Sequence, residues 1–131
     1  MASRDPDFVL VKRDFAYDRI PELVEEVTGF RDSPEWRELE QNGLDELPGV
    51  VLGALRRFLL RLSEEGNCAE SLSRGFEFIE KLAASDDSEL QNAVVSEVFE
   101  VLEPGTSATR HFYEQLGDRA TELYRQYCKV L

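Results

Sequence analysis

The sequence predicts an all-α fold, a compact antiparallel helical bundle of about six or seven helices. Three observations predict it. Apolar residues recur at i, i+3, i+4 and i+7 through most of the chain. No segment alternates apolar and polar residues as a half-buried strand would. Pro, Gly and Ser/Asp clusters interrupt the pattern at helix-length intervals.

The elements follow in order. Residues 1–17 lack helical periodicity and read as an N-terminal arm, with a short extended piece at Phe8 to Val11; residues 18–131 form the single helical domain. The first helix is expected from Asp18 to Thr28, with Ile20, Leu23, Val24 and Val27 on one face and Gly29 as its stop. Ser33-Pro34-Glu35-Trp36 opens the second, with Ser as N-cap and Pro in the first turn, and Asn42-Gly43 closes it. The third runs from Leu47 or Pro48 to Glu65 and is apolar around most of its circumference, which predicts central burial. Gly66-Asn67 supplies a stop and the next cap. The fourth helix covers Ala69 to Ala84. After the capping cluster Ser85-Asp86-Asp87-Ser88, the fifth continues to Leu102, with Leu90, Val94, Val98 and Val101 on its inner face. Pro104-Gly105 breaks the chain, Thr106-Ser107-Ala108 reads as a polar link, and two short helices follow, Thr109 to Leu116 and Asp118 to Lys129. The central three helices are expected to stack like one and a half units of a HEAT-type repeat, although no sequence repeat supports a true solenoid.

A chain of 131 residues with 42% hydrophobic content buries enough surface to fold without metal or disulfide. Cys68 and Cys128 have no CxxC or Cys/His spacing and read as small buried hydrophobes in a reducing compartment. No signal-like or membrane-spanning run is visible, so the expected address is the cytoplasm.

Charge is the strongest compositional signal. Acidic residues number 27 against 15 basic ones, a net of −12. The stretch Asp18 to Glu46 carries −7, Leu47 to Leu62 carries +3, and Ser63 to Glu103 carries −9. Nucleic acid rewards basic surfaces, so DNA or RNA is not the expected partner. The acidity either serves solubility or makes a directed field that attracts basic partners.

Catalytic apparatus is not expected. His111 is the one histidine, with no H-x-x-x-H and with Ala108 where a Glu-x-x-His motif would need an acid. Phosphate loop and nucleophile elbow are missing. No cofactor or metal is therefore expected. Two features could bind another protein. Glu97, Glu100 and Glu103 repeat every three residues as an acidic ridge, with Asp86 and Asp87 at the preceding cap; the plainer reading is a solvated face. Trp36, flanked by Glu35, Glu38 and Glu40, is either an interface anchor or the plug that fixes its helix to the core. Asn92, polar in an apolar helix, is expected to bond the neighbouring loop backbone.

Several stretches together resemble a family of small acidic bacterial proteins of uncharacterised function. They are Phe78-Ile79-Glu80-Lys81-Leu82, the Asp86 to Glu89 cap, Gln91-Asn92-Ala93-Val94 and Phe99-Glu100-Val101-Leu102, with Pro34-Glu35-Trp36 and Leu116-Gly117. The resemblance spans Ile20 to Tyr124. It implies a helical domain, with members that look like immunity proteins of toxin systems, and it brings no catalytic residues. The expectation is a non-enzymatic inhibitor that binds another protein, a basic toxin domain such as a nuclease. The alternative is a scaffold or adaptor module, and a homodimer fits either reading.

Overall fold

The computed structural model describes residues 16–66 and 68–127. The expected extended piece at Phe8 to Val11, the Asn67 cap, Cys128 and the end of the last helix lie outside the described residues. Within them the chain is all-helical. Helix α1 (Ile20–Leu23) sits between 3-10 turns at Tyr17–Arg19 and Val24–Glu26, and a further 3-10 turn covers Phe30–Asp32. Then come α2 (Pro34–Gln41), α3 (Pro48–Glu65), α4 (Ala69–Ala83) and α5 (Ser88–Val94), the last running into a π-turn at Val95–Phe99. Helices α6 (Ser107–Glu114) and α7 (Asp118–Tyr127) complete the bundle.

Local chemistry explains most boundaries. The Ser33 hydroxyl accepts the Trp36 N–H at 3.2 Å and donates to the Phe30 carbonyl at 2.6 Å, joining the 3-10 turn to α2. Gly66 ends α3 at φ 74, where its N–H reaches the Leu62 carbonyl at 3.0 Å. Asp87 caps α5 by accepting the Glu89 N–H at 2.9 Å. Thr106 caps α6 by accepting the Thr109 N–H at 3.1 Å, so that helix starts inside the expected polar link.

The first helix is shorter than its apolar spacing predicts. Ile20, Val24 and Val27 are buried as expected, but the chain tightens to 3-10 winding at Val24 and is extended at Val27. Glu25 and Glu26 stand where a longer helix would present its negative end, and β-branched Val24 and Val27 add little helix propensity.

Helix α3 lies at the centre. It packs against α1, α2, α4, α5, the π-turn and α6. Val51, Leu52, Leu55 and Leu59 are fully buried. Helix α4 meets it closely at Gly75, where a Cβ would stand 2.4 Å from Leu59 Cδ2. Cys68 is half-buried at the start of α4 and not in the core.

The fifth helix departs most from expectation. In an unbroken α-helix each residue turns about 100°, so Glu97 would share a face with Leu90 and Phe99 would point about 180° away. The π-turn adds one residue to that stretch. The Glu100 N–H bonds the Val95 carbonyl five residues back at 2.8 Å. Within the turn Val98 and Phe99 are buried and beyond it Leu102 is buried, whereas Val101, expected inside, is 55% exposed. Arg56 of α3 donates from Nη1 to the Glu97 carbonyl at 2.8 Å, taking up an acceptor near the helix end. Burial lowers the Arg56 pKa, the Arg57 charge adds to this, and the Glu97 charge opposes it.

If the π-turn is a one-residue insertion, removing the exposed Ser96 should leave both apolar faces aligned on a plain α-helix. The deletion is expected to keep a cooperative urea transition, within about 1–2 kcal/mol of the parent. Deleting Arg57 from α3, which rotates half of the central helix by about 100°, should abolish it. Loss of folding in both deletions would refute this account of the turn.

Candidate protein-binding surface

Helix α2 and its link to α3 form an acidic concavity. An open groove of about 290 Å³ is lined by Pro21, Glu22, Arg31, Trp36, Glu40, Asp45 and Glu46. Trp36 lines it, and Arg31 lies over the Trp36 ring at 5.3 Å. Arg31 is held by the Pro21 carbonyl at 2.7 Å and by Glu25 at 3.1 Å. Glu22 pairs with Arg19. Glu40, Asp45 and Glu46 have no ion pair among the described residues, so they present negative charge to solvent. Leu47 follows them, 47% exposed.

The back of α2 is fixed by a stronger contact. Arg61 of α3 binds both Glu35 oxygens, Nε to Oε2 at 2.7 Å and Nη2 to Oε1 at 2.9 Å, and reaches Glu65 at 3.0 Å. Burial alone would raise the Glu35 pKa. The Arg61 hydrogen bonds, its own backbone N–H and the Arg61 charge outweigh this and hold the carboxyl below its ordinary value. The same bonds raise the Arg61 pKa.

The residues singled out in the sequence fall in three places. Trp36 is 5% exposed and stacks edge-on against Phe30 at 5.6 Å, so its ring is spent chiefly on the core. Glu38, two residues from both Trp36 and Glu40 and so on the other side of α2 from the groove, is exposed. Asp86 and Asp87 flank the start of α5, where Asp87 serves as the cap. Glu97, Glu100 and Glu103 lie at and beyond its far end, opposite Asp87 along the helix length. They do not form a helical ridge. The π-turn takes Glu97 off the buried Leu90 face to a half-buried position, where its Oε2 would stand 3.4 Å from a Cβ at Gly49; Glu100 caps the turn, and Glu103 lies beyond it. Asn92 is exposed, and the amide that bonds the loop belongs to Gln91, which donates to the Ser85 carbonyl at 2.7 Å. His111 is exposed on α6. Glu40 was noted in the sequence as a neighbour of Trp36, whereas Asp45 and Glu46 went unremarked; the −7 balance of Asp18 to Glu46 was the signal that could have located them.

Other concavities lie elsewhere on the bundle, one of about 260 Å³ lined by Leu60, Ser63, Glu64, Ser107, Ala108 and His111. A groove of about 790 Å³ along α4 is lined by Leu72, Phe76, Glu77, Glu80, Lys81 and Gln115 among others. A smaller one of about 230 Å³ beside the π-turn gathers Tyr17, Glu89, Asn92, Ser96 and Glu97. No group of three or more His, Cys, Asp or Glu among the described residues is placed to hold a metal ion. No helix among them is long and apolar enough to cross a membrane.

The Glu35–Arg61 pair makes a pH-dependent contribution. A carboxyl with a depressed folded pKa adds stability above its unfolded value of about 4.3, and loses it as pH falls through the folded value. Arg61 is 35% exposed, so solvent screening limits the expected cost of Glu35→Gln to about 1 kcal/mol at pH 7. Urea titrations from pH 7 to about pH 3 should show that gap closing at the acid end. A gap that stays constant with pH would contradict this assignment.

Among curated proteins and solved structures none matches the chain. A family model described as a domain of unknown function, DUF7674, matches residues 17–130, from the first 3-10 turn to the end of the described bundle and beyond. On that match the chain belongs to the DUF7674 family.

Proposed function

We propose that this chain is a non-enzymatic protein-binding domain of the immunity type, which neutralises a basic bacterial toxin domain by covering its active surface with carboxylates. The observation that carries the reading is the α2–α3 groove, where Glu40, Asp45 and Glu46 lack ion pairs among the described residues and stand beside exposed Leu47. Net charge of −12 supports it, because a negative field speeds capture of a cationic partner and selects against acidic ones. A rigid backing supports it too. The bidentate Glu35–Arg61 contact and the buried Trp36 hold α2 in place, so the carboxylates are presented with little ordering cost on binding.

A second reading has its own observation. The larger groove along α4 is walled by Leu72 and Phe76, which suits an adaptor that grips apolar side chains. Salt separates the two, since charge-led capture weakens with ionic strength and apolar capture does not.

The test is affinity capture by the tagged full-length chain from a bacterial lysate at about 50 mM and about 500 mM salt, read by mass spectrometry. The triple variant Glu40→Lys/Asp45→Lys/Glu46→Lys is run alongside, with its helicity checked by circular dichroism. The expected outcome is a basic protein retained at low salt, released at high salt and lost in the variant. Capture that survives both high salt and charge reversal would transfer the function to the α4 groove. Failure to retain any basic protein would remove the proposal.

A further inference from the structure

The start of α7 is capped from a distance. Its N-cap position is Gly117, whose carbonyl accepts the Thr121 N–H at 2.9 Å and which has no side chain to offer the first-turn amides. Those amides are met by Glu80 of α4. Oε2 accepts the Arg119 N–H and Oε1 accepts the Ala120 N–H, each at 2.9 Å. The two residues fit one another. A Cβ at position 117 would lie 2.5 Å from Glu80 Oε1 and 2.7 Å from its carboxyl carbon. Gly117 needs no unusual φ, so its role is to leave room for the carboxylate.

We propose that α7 is a conditional element of the fold: it becomes helical only when docked, because Glu80 supplies the cap that its own sequence lacks. An isolated helix as short as the 10 residues described for α7 is marginal in water, and an uncapped one more so. The carboxylate also meets the positive end of the helix dipole, which adds to the hydrogen bonds. Docking buries Ala120, Leu123 and Tyr124, and Tyr124 covers Phe99 and Tyr113 at centroid distances of 5.1 and 5.2 Å. Release of α7 therefore uncovers an aromatic face of the bundle. Glu80 also lines the groove along α4, so a molecule bound in that groove reaches the latch directly.

Hydrogen exchange of the full-length chain, resolved by peptide, tests this with three variants. Glu80→Ala should speed exchange of residues 120–127 about ten-fold while α3 changes less than about two-fold. Gly117→Ser in the parent should also speed α7, because its Cβ collides with the carboxylate. Gly117→Ser combined with Glu80→Ala should be slower than Glu80→Ala alone, since the space is then open and the introduced hydroxyl caps the helix locally. If Glu80→Ala does not fold, Glu80→Gln keeps one acceptor and should accelerate α7 selectively by a smaller factor. Equal acceleration of α3 and α7 in whichever Glu80 variant folds, or a combined variant no slower than Glu80→Ala, would overturn the proposal.

Discussion

The structure depends on one constraint, the need to surround α3. A helix with Val51, Leu52, Ala54, Leu55, Phe58, Leu59 and Leu62 all buried has apolar side chains on most of its circumference, and no single neighbour can cover them. Short flanking elements on every side are the solution. Helix α4 comes close enough at Gly75 to touch Leu59 with its backbone, α2 closes one flank through Trp36, and the π-turn closes another through Val98 and Phe99. The outer helices inherit a division of labour from this. Each spends its apolar stripe inward and leaves its acidic residues outside, so the −12 charge is a surface property of a packed interior.

Helix positions were legible because periodicity and capping act locally. Helices α2, α3 and α4 lie within a residue or so of the bounds expected from Ser33-Pro34, Pro48 and Gly66. Misreadings occurred where winding departs from 3.6 residues per turn. A stripe such as Leu90, Val94, Val98 and Val101 fits a straight helix, and only the joint requirement that Phe99 be inside and Glu97 outside the core betrays an extra residue. The first helix failed for a related reason, since 3-10 winding keeps Val24 and Val27 inward without a continued α-helix.

Less of the candidate surface was legible. Charge balance located an acidic stretch, but which carboxylates remain unengaged depends on partners far away in sequence. Glu35 is neutralised by Arg61, Glu26 meets Lys81 at 2.8 Å, and Glu80 is consumed by backbone amides of α7. Nothing within a few residues of each acid distinguishes these from Glu40 or Glu46. Polar groups at helix ends are likewise satisfied across the bundle, as Arg56 does for the Glu97 carbonyl.

The Arg31–Trp36 stack has a spectroscopic consequence. Trp36 is the one tryptophan of the chain, sealed from water and overlain by a guanidinium whose charge perturbs the indole excited state. Its emission is thus a label built into the acidic groove. Displacement of Arg31 by an arriving cation would be registered as a change in fluorescence, without any dye attached and without knowing what the arriving molecule is.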